Sequence, residues 1–387
     1  PYATQPTLES RIYVSDTTEG RRLVANPYFH QVDTTGQQLP YISRQEELYK
    51  NDNEVRILAL VNGEVDYKAQ SLQLPAAPIL LENQEKGGYT VQLKPTVAIP
   101  TLSFNVTSDD EGKRELFSNP EFRKAMSAAI NRDELNEVVF FGQGTPMAYT
   151  GFSPLPPFAE AYGAIGTEFD PETAKAMLDG LGMVDTDGDG FRELPNGDAV
   201  VLNIQFATQG VAGEVVELVA QNWSDVGVQS TVKEVTPDEY RAAQSANELD
   251  VLAWWKGEPL AIALGTNEGL VPPFGSYFGH RTGMKWAEWI DSNGTAGIEP
   301  PAWVKQLIDD VATLQAAAPG SDAANAAGEA IAKAFTDNML FIGTVIAPSP
   351  IVVRNGLKNV PEFKTSSYEY YRTYPYLATQ WFLAEDN

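Results

Sequence analysis

The first hundred residues set short apolar runs between frequent turn signals. Gly20, Asn26-Pro27, Thr35-Gly36, Pro40, Asn62-Gly63 and Gly87-Gly88 leave segments too short for long helices. Gly88–Leu93 alternates as a strand, and Val55, Leu58 and Val61 predict a helix within Glu54–Val61. From about Leu102 the period becomes that of a helix. Asn119-Pro120 is a helix start, followed by Phe122, Ala125, Met126, Ala129 and Ile130 on one face. A second helical piece runs over Asp133–Phe140, and Asp170-Pro171 opens another that ends at Gly180.

Val200, Leu202, Ile204 and Phe206 then alternate with polar or exposed positions, as a half-buried strand does. A helix over Glu214–Val226, a strand over Val228–Val235, a helix over Pro237–Ala246 and a strand over Asp250–Trp255 follow. Strands alternating with helices at this spacing predict an α/β layer architecture. Residues 256–300 break the rhythm with Gly, Pro and Trp. Helices over Pro301–Leu314 and Asp322–Phe335 and a strand over Met339–Ala347 complete it. The tail from Pro348 is rich in Tyr and Pro like the opening, so the expected division is 1–102, 103–347 and 348–387, with the first and last segments in one unit.

Charge narrows the function. With 27 Lys+Arg against 52 Asp+Glu the 387-residue chain carries −25, which argues against nucleic acid and against an anionic membrane surface. The absence of cysteine removes disulfides, Cys-ligated metals and thiol nucleophiles, and His30 and His280 stand too far apart for a histidine metal site. The most apolar run, Met339–Ala347, is about half the length of a bilayer helix. The opening residues lack a signal-peptide pattern.

Two constellations could carry chemistry. Asp185, Asp187 and Asp189 alternate before Gly190, with Glu193 at the ninth position of a calcium-loop count. The twelfth position is Asn196 where a complete loop has a bidentate Glu. The competing reading is a polar turn whose Asp side chains cap their own backbone. If calcium binds there, its role is structural.

The second constellation is aromatic: Trp254, Trp255, Trp286, Trp289 and Trp303, with Phe274, Tyr277 and Phe278 between. Flat rings with one polar edge suit stacking on sugars or gripping peptide side chains. Strand alternation turns one of Trp254 and Trp255 inward and leaves the other free. Trp303 shares a core spacing with 307, 311 and 314, while Trp286 and Trp289 are assigned to a loop. No nucleophile elbow, phosphate loop, dinucleotide fingerprint or HExxH motif is present. Matches to the Asn-x-Ser/Thr sequon, including Asn105, are at the level of chance.

The segment Ser118-Asn-Pro-Glu-Phe-Arg123 through Asn131-Arg132-Asp133, running on to Gly142 and Gly144, resembles the most characteristic stretch of family 5 extracellular solute-binding proteins. Ala25–Phe29 with Val32-Asp33 and Gln38–Tyr41, Gly63–Asp66, Asp170–Lys175, and Gln221–Gly227 with Tyr240 and Asp250 resemble the same family in the same order. The resemblance implies a class II periplasmic-binding-protein fold, with two lobes of mixed sheet flanked by helices that enclose a solute between them. It also implies that the chain lacks an N-terminal portion, including a signal sequence and part of the first lobe, so that one lobe is incomplete. The parent protein is then periplasmic or extracellular and membrane-anchored, a monomer that hands its solute to ABC permease subunits without an enzymatic step.

Peptide-binding members carry an aspartate shortly after the strand-end tryptophan, to pair with a peptide α-amino group. The matching stretch here is Ala253-Trp-Trp-Lys256-Gly257-Glu258, with Lys or Gly in that place. A buried ammonium without a carboxylate costs several kcal/mol. The balance leans toward an oligosaccharide over an oligopeptide. The expected ligand-binding residues are Phe104, Asn105, Trp254, Trp255, Lys256, Glu258, Trp286 and Trp289, and the expected metal ligands Asp185, Asp187, Asp189 and Glu193. The alternative function is a secreted glycoside hydrolase using two carboxylates in an aromatic cleft.

Overall fold

A computed structural model describes residues 6–50, 52–152, 157–207, 209–257, 282–362, 366 and 377–384. The chain divides into two compact units, one of Pro1–Pro95 with Pro348–Asn387 and the other of Thr96–Ala347. The first crossing lies ahead of residue 102, because the strand Ile99–Phe104 belongs to the sheet of the second unit.

In the first unit, Arg11–Asp16, Gly20–Ala25 and Arg44–Leu48 form an antiparallel three-stranded sheet. A second sheet places Ser349–Arg354 between Tyr67–Lys68 and Tyr89–Lys94. The late return of the chain thus supplies the central strand of a sheet begun near its start. Leu60, Leu72, Leu80, Tyr89 and Val352 pack on one side of it, and Ala69, Ile351, Val353 and Trp381 form a separate cluster.

The second unit is built on a five-stranded mixed sheet. Its elements, in chain order, are β1 (Ile99–Phe104), α1 (Glu111–Ser118), α2 (Pro120–Ala128), α3 (Arg132–Phe140), α4 (Pro171–Gly180), β2 (Leu202–Phe206), α5 (Gly213–Asp225), β3 (Ser230–Glu234), α6 (Pro237–Ser245), β4 (Val251–Lys256), α7 (Met284–Asp291), α8 (Ala302–Ala316), α9 (Asp322–Asn338) and β5 (Ile342–Gly343). The strand order is β5-β1-β4-β2-β3. β2 is parallel to both β3 and β4, whereas β1 is antiparallel to β4 and β5. This is the mixed α/β architecture expected.

Caps explain the helix starts. Asn119, Asn131 and Asp170 each accept a backbone N–H of the first turn, and Pro stands at the first position of α2 and α4. Two expectations fail in physical terms. Met339–Ala347 is not one strand: Ile342–Gly343 joins the large sheet while Val345–Ile346 pairs with Thr145–Pro146. Met339 itself caps α9 in a left-handed conformation. Trp286 and Trp289 lie on α7, an eight-residue helix that the neighbouring Gly and Pro residues obscure in the sequence.

Candidate functional site

β2 feeds α5 and then β3 on one side, and the chain crosses back through α6 to lay β4 on the other side of β2. The order of parallel strands therefore reverses at β2. In open α/β sheets solutes bind outside the carboxyl ends of the strands at such a reversal. Here that point is formed by Ala207 and Gln209–Ala212 after β2 and by Trp254–Gly257 at the end of β4.

Trp254 is 3% exposed and Trp255 9%. The expectation that one ring would be free is corrected: β4 is an interior strand whose six residues are all buried, so both faces of the sheet are covered there. The Trp254 ring lies 5.2 Å from that of Tyr240 at 32°, and its carbonyl accepts a 2.7 Å hydrogen bond from Thr101 Oγ1. Lys256 is fully buried, its Nζ 3.7 Å from the Phe341 ring centroid and 5.9 Å from that of Tyr149. Gly257 ends the strand at φ +134°, where an added Cβ would stand 1.7 Å from the Val97 carbonyl oxygen. Only glycine allows β4 to leave the sheet in this direction. Glu258, Phe274, Tyr277 and Phe278 lie outside the described residues.

The other expected ligand contacts are placed elsewhere. Phe104 is fully buried against Phe117, Phe122 and Trp223. Asn105 Nδ2 donates to Asn247 Oδ1 at 3.0 Å, and its Oδ1 accepts from Thr107 N. Both expected ligand residues are buried. Trp286 is buried among Val304, Leu307 and Phe335, edge-on to the half-buried Trp303. Trp289 is half-buried, with Lys305 Nζ 4.9 Å above its ring.

A small interior cavity lies by Arg132, Ser127, Tyr149, Phe341 and Gly343, with about 10 Å³ of room, the scale of one water. It is too small for a solute. All five Arg132 N–H groups are engaged: Nε and Nη2 with the Gly343 carbonyl, Nη2 with Ser127 Oγ, and Nη1 with the carbonyls of Ser127 and Thr167. Burial lowers the Arg132 pKa to about 10, which leaves it charged at neutral pH.

In the acidic loop, one oxygen each from Asp185, Asp187, Asp189 and Glu193 lie within 4.8 Å of one another. Two oxygens bound to one calcium at ordinary lengths stand no more than about 5.2 Å apart, so the donor set fits that ion. The Asp side chains also accept loop N–H groups: Asp185 from Gly188 and Gly190, Asp187 from Asp189, and Asp189 from Phe191. Glu193 accepts from Thr186 N at 2.7 Å. Asn196 is turned away, bonded to Asp198.

An open α/β sheet with such a strand reversal is an architecture that can take a solute at its strand ends. Residues 13–260 match the family described as bacterial extracellular solute-binding proteins, family 5 middle, and the chain belongs to that family. It is 24% identical over 361 residues to a periplasmic alpha-galactoside-binding protein of Rhizobium meliloti, covering 87% of this chain and 49% of that protein. Two solved structures are similar. The oligopeptide-binding protein OppA has a TM-score of 0.62 and 27% identity, over 99% of this chain and 63% of that one. The periplasmic binding protein MelB of Agrobacterium fabrum, in complex with stachyose, has a TM-score of 0.80 and 21% identity, over 99% of this chain and 58% of that one. The chain thus spans about half to two-thirds of the length of these three proteins.

Proposed function

We propose that the protein is the receptor of an ABC importer, that its solute is a neutral oligosaccharide of the α-galactoside class, and that it releases the solute unaltered. The observation that carries the choice of solute is Lys256. The resemblance puts an aspartate for a peptide ammonium close to this place, and here the side chain is a cation buried against Phe341. That side chain offers a peptide α-amino group no carboxylate in this place. The alpha-galactoside-binding relative and the stachyose-bound neighbour support the same reading. The half-buried Trp289 is the tryptophan proposed to offer ring surface to sugar.

Titration calorimetry with stachyose, raffinose and a tetrapeptide tests this. Saturable binding of the galactosides with unchanged sugar recovered afterwards is the expected result. Binding of the peptide alone would overturn the choice of solute, and recovery of cleaved sugar would overturn the receptor.

The acidic loop is proposed as a structural calcium site, on its oxygen donor set. Bringing four carboxylates together without a cation is repulsive, and a dication would offset that. Melting in calcium against chelator is the check. Equal midpoints would leave the loop a self-capped turn.

A further inference from the structure

Trp254 is packed against a ring and a backbone. Tyr240, itself fully buried, lies with its ring centroid 5.2 Å away and tilted by 32°. Gly210 closes on the same indole, where an added Cβ would stand 2.2, 2.5 and 2.6 Å from the Trp254 ring atoms Cε3, Cζ3 and Cδ2. Ordinary van der Waals contact begins about 1 Å farther out.

Both partners are tied to their surroundings. The Gly210 and Val211 N–H groups both donate to the Ala207 carbonyl, at 2.7 and 3.2 Å, which ties down the turn. The Trp254 backbone is held by Thr101. Gly210 is absent from the glycines with positive φ, so backbone conformation does not demand glycine here. Space does. With the indole out of the way, alanine would be tolerated or mildly stabilising through the unfolded chain.

We infer that Gly210 is a positioning residue of the solute site: its missing side chain sets the height of the Gln209–Ala212 segment over Trp254 and so the size of solute admitted. The inference rests on the carboxyl ends of β2 and β4 being that site. A substitution at 210 lifts the turn and the start of α5 or tilts the indole against Tyr240. A smaller ring at 254 absorbs it.

The test compares Gly210→Ala, Trp254→Phe and the double variant, with stachyose, raffinose and a tetrapeptide as probes. Gly210→Ala is expected to weaken the probe that the wild type binds by tenfold or more and to change the stachyose-to-raffinose affinity ratio. In the Trp254→Phe background the same change should cost less than twofold. If Gly210→Ala alone does not fold, recovery of folding in the double variant supports the steric claim, and failure to recover overturns it. Unchanged affinity and ratio, or equal losses in both backgrounds, also overturn it. A wild type that binds only the peptide would sink the sugar reading and leave Gly210 to be judged by peptide affinity. If no probe binds, near-ultraviolet ellipticity decides: a Gly210→Ala spectrum identical to wild type refutes the positioning.

Discussion

Arg123 and Arg132 carry two positive charges into the core of the second unit, and among the described residues neither forms an ion pair. Both spend their donors on backbone carbonyls. Arg123 reaches Asn338 at the last residue of α9 and Phe117 near the end of α1, while Arg132 reaches Ser127 near the end of α2. Helix C-termini present unpaired carbonyls and the negative end of the macrodipole, so a guanidinium fork there satisfies polarity that would otherwise be buried. Desolvation lowers both pKa values, to about 10, without neutralising either side chain at pH 7. Replacing Arg132 by Met would strand the Gly343 and Thr167 carbonyls, whereas the Ser127 carbonyl keeps the Ile130 N–H. Each orphaned acceptor costs about 1–3 kcal/mol, so a loss of about 2 kcal/mol or more in urea unfolding is expected. Lysine cannot reproduce the five contacts and should recover less than half of it.

These two arginines lie in the stretch that made the family legible in the sequence, and their role there is architectural. Tyr240 and Asp250, from another matching stretch, behave likewise: Tyr240 backs Trp254, and Asp250 accepts from Lys113 Nζ at 2.8 Å and from Asn203. At the scale of elements, α2, α3, α4, α5, α6 and their neighbouring strands were readable because caps, Pro starts and period changes mark them locally. The strand β1, with Thr101 and Ser103 buried beside Leu102 and Phe104, was missed because an interior strand has no polar face to betray its period. For the same reason alternation misjudged Trp254 and Trp255. Gly210 carried no sequence signal, since its need for space arises from a ring 44 positions away. α6 offers a test of how local signals place the site. Thr236 and Glu239 form a reciprocal capping box, with Thr236 N donating to Glu239 Oε2 at 2.8 Å. Thr236→Ala should cost about 1 kcal/mol and lower the melting temperature by about 2 °C. Because α6 carries Tyr240, the near-ultraviolet signal of Trp254 is expected to weaken with it.

For the whole molecule, charge sets two opposing limits. Several carboxylates are held below their usual range by hydrogen bonds in the folded state: Asp33 by Tyr41 and Thr35, Asp109 by Lys285, Asp170 by Thr173, and Glu239 by the Thr236 backbone. A depressed carboxylate contributes stability that is complete above its unfolded pKa and is lost as pH falls through the folded value. Melting should therefore be insensitive to these groups at neutral pH and should decline below about pH 4. Asp109, Asp170 and Glu239 are exposed and Asp33 is half-buried, so the decline is shallow. The other limit is the net charge of −25, a self-repulsion that opposes the compact state when acids are ionised. Screening acts on it directly, because the Debye length shrinks from about 30 Å at 0.01 M salt to about 3 Å at 1 M. The same salt weakens surface pairs such as Lys124–Glu121 and Lys333–Asp337, each of them largely exposed and worth at most about 1 kcal/mol. With 52 acidic against 27 basic side chains, 25 acids have no counter-charge to lose, so repulsion outweighs attraction in the balance. The melting temperature at pH 7 is expected to rise by several degrees between 0.01 and 1 M sodium chloride. Measuring the same series at pH 4, where the acids are partly neutralised, separates screening from general salting-out: a rise that persists undiminished there would mean that repulsion is not what the salt relieves.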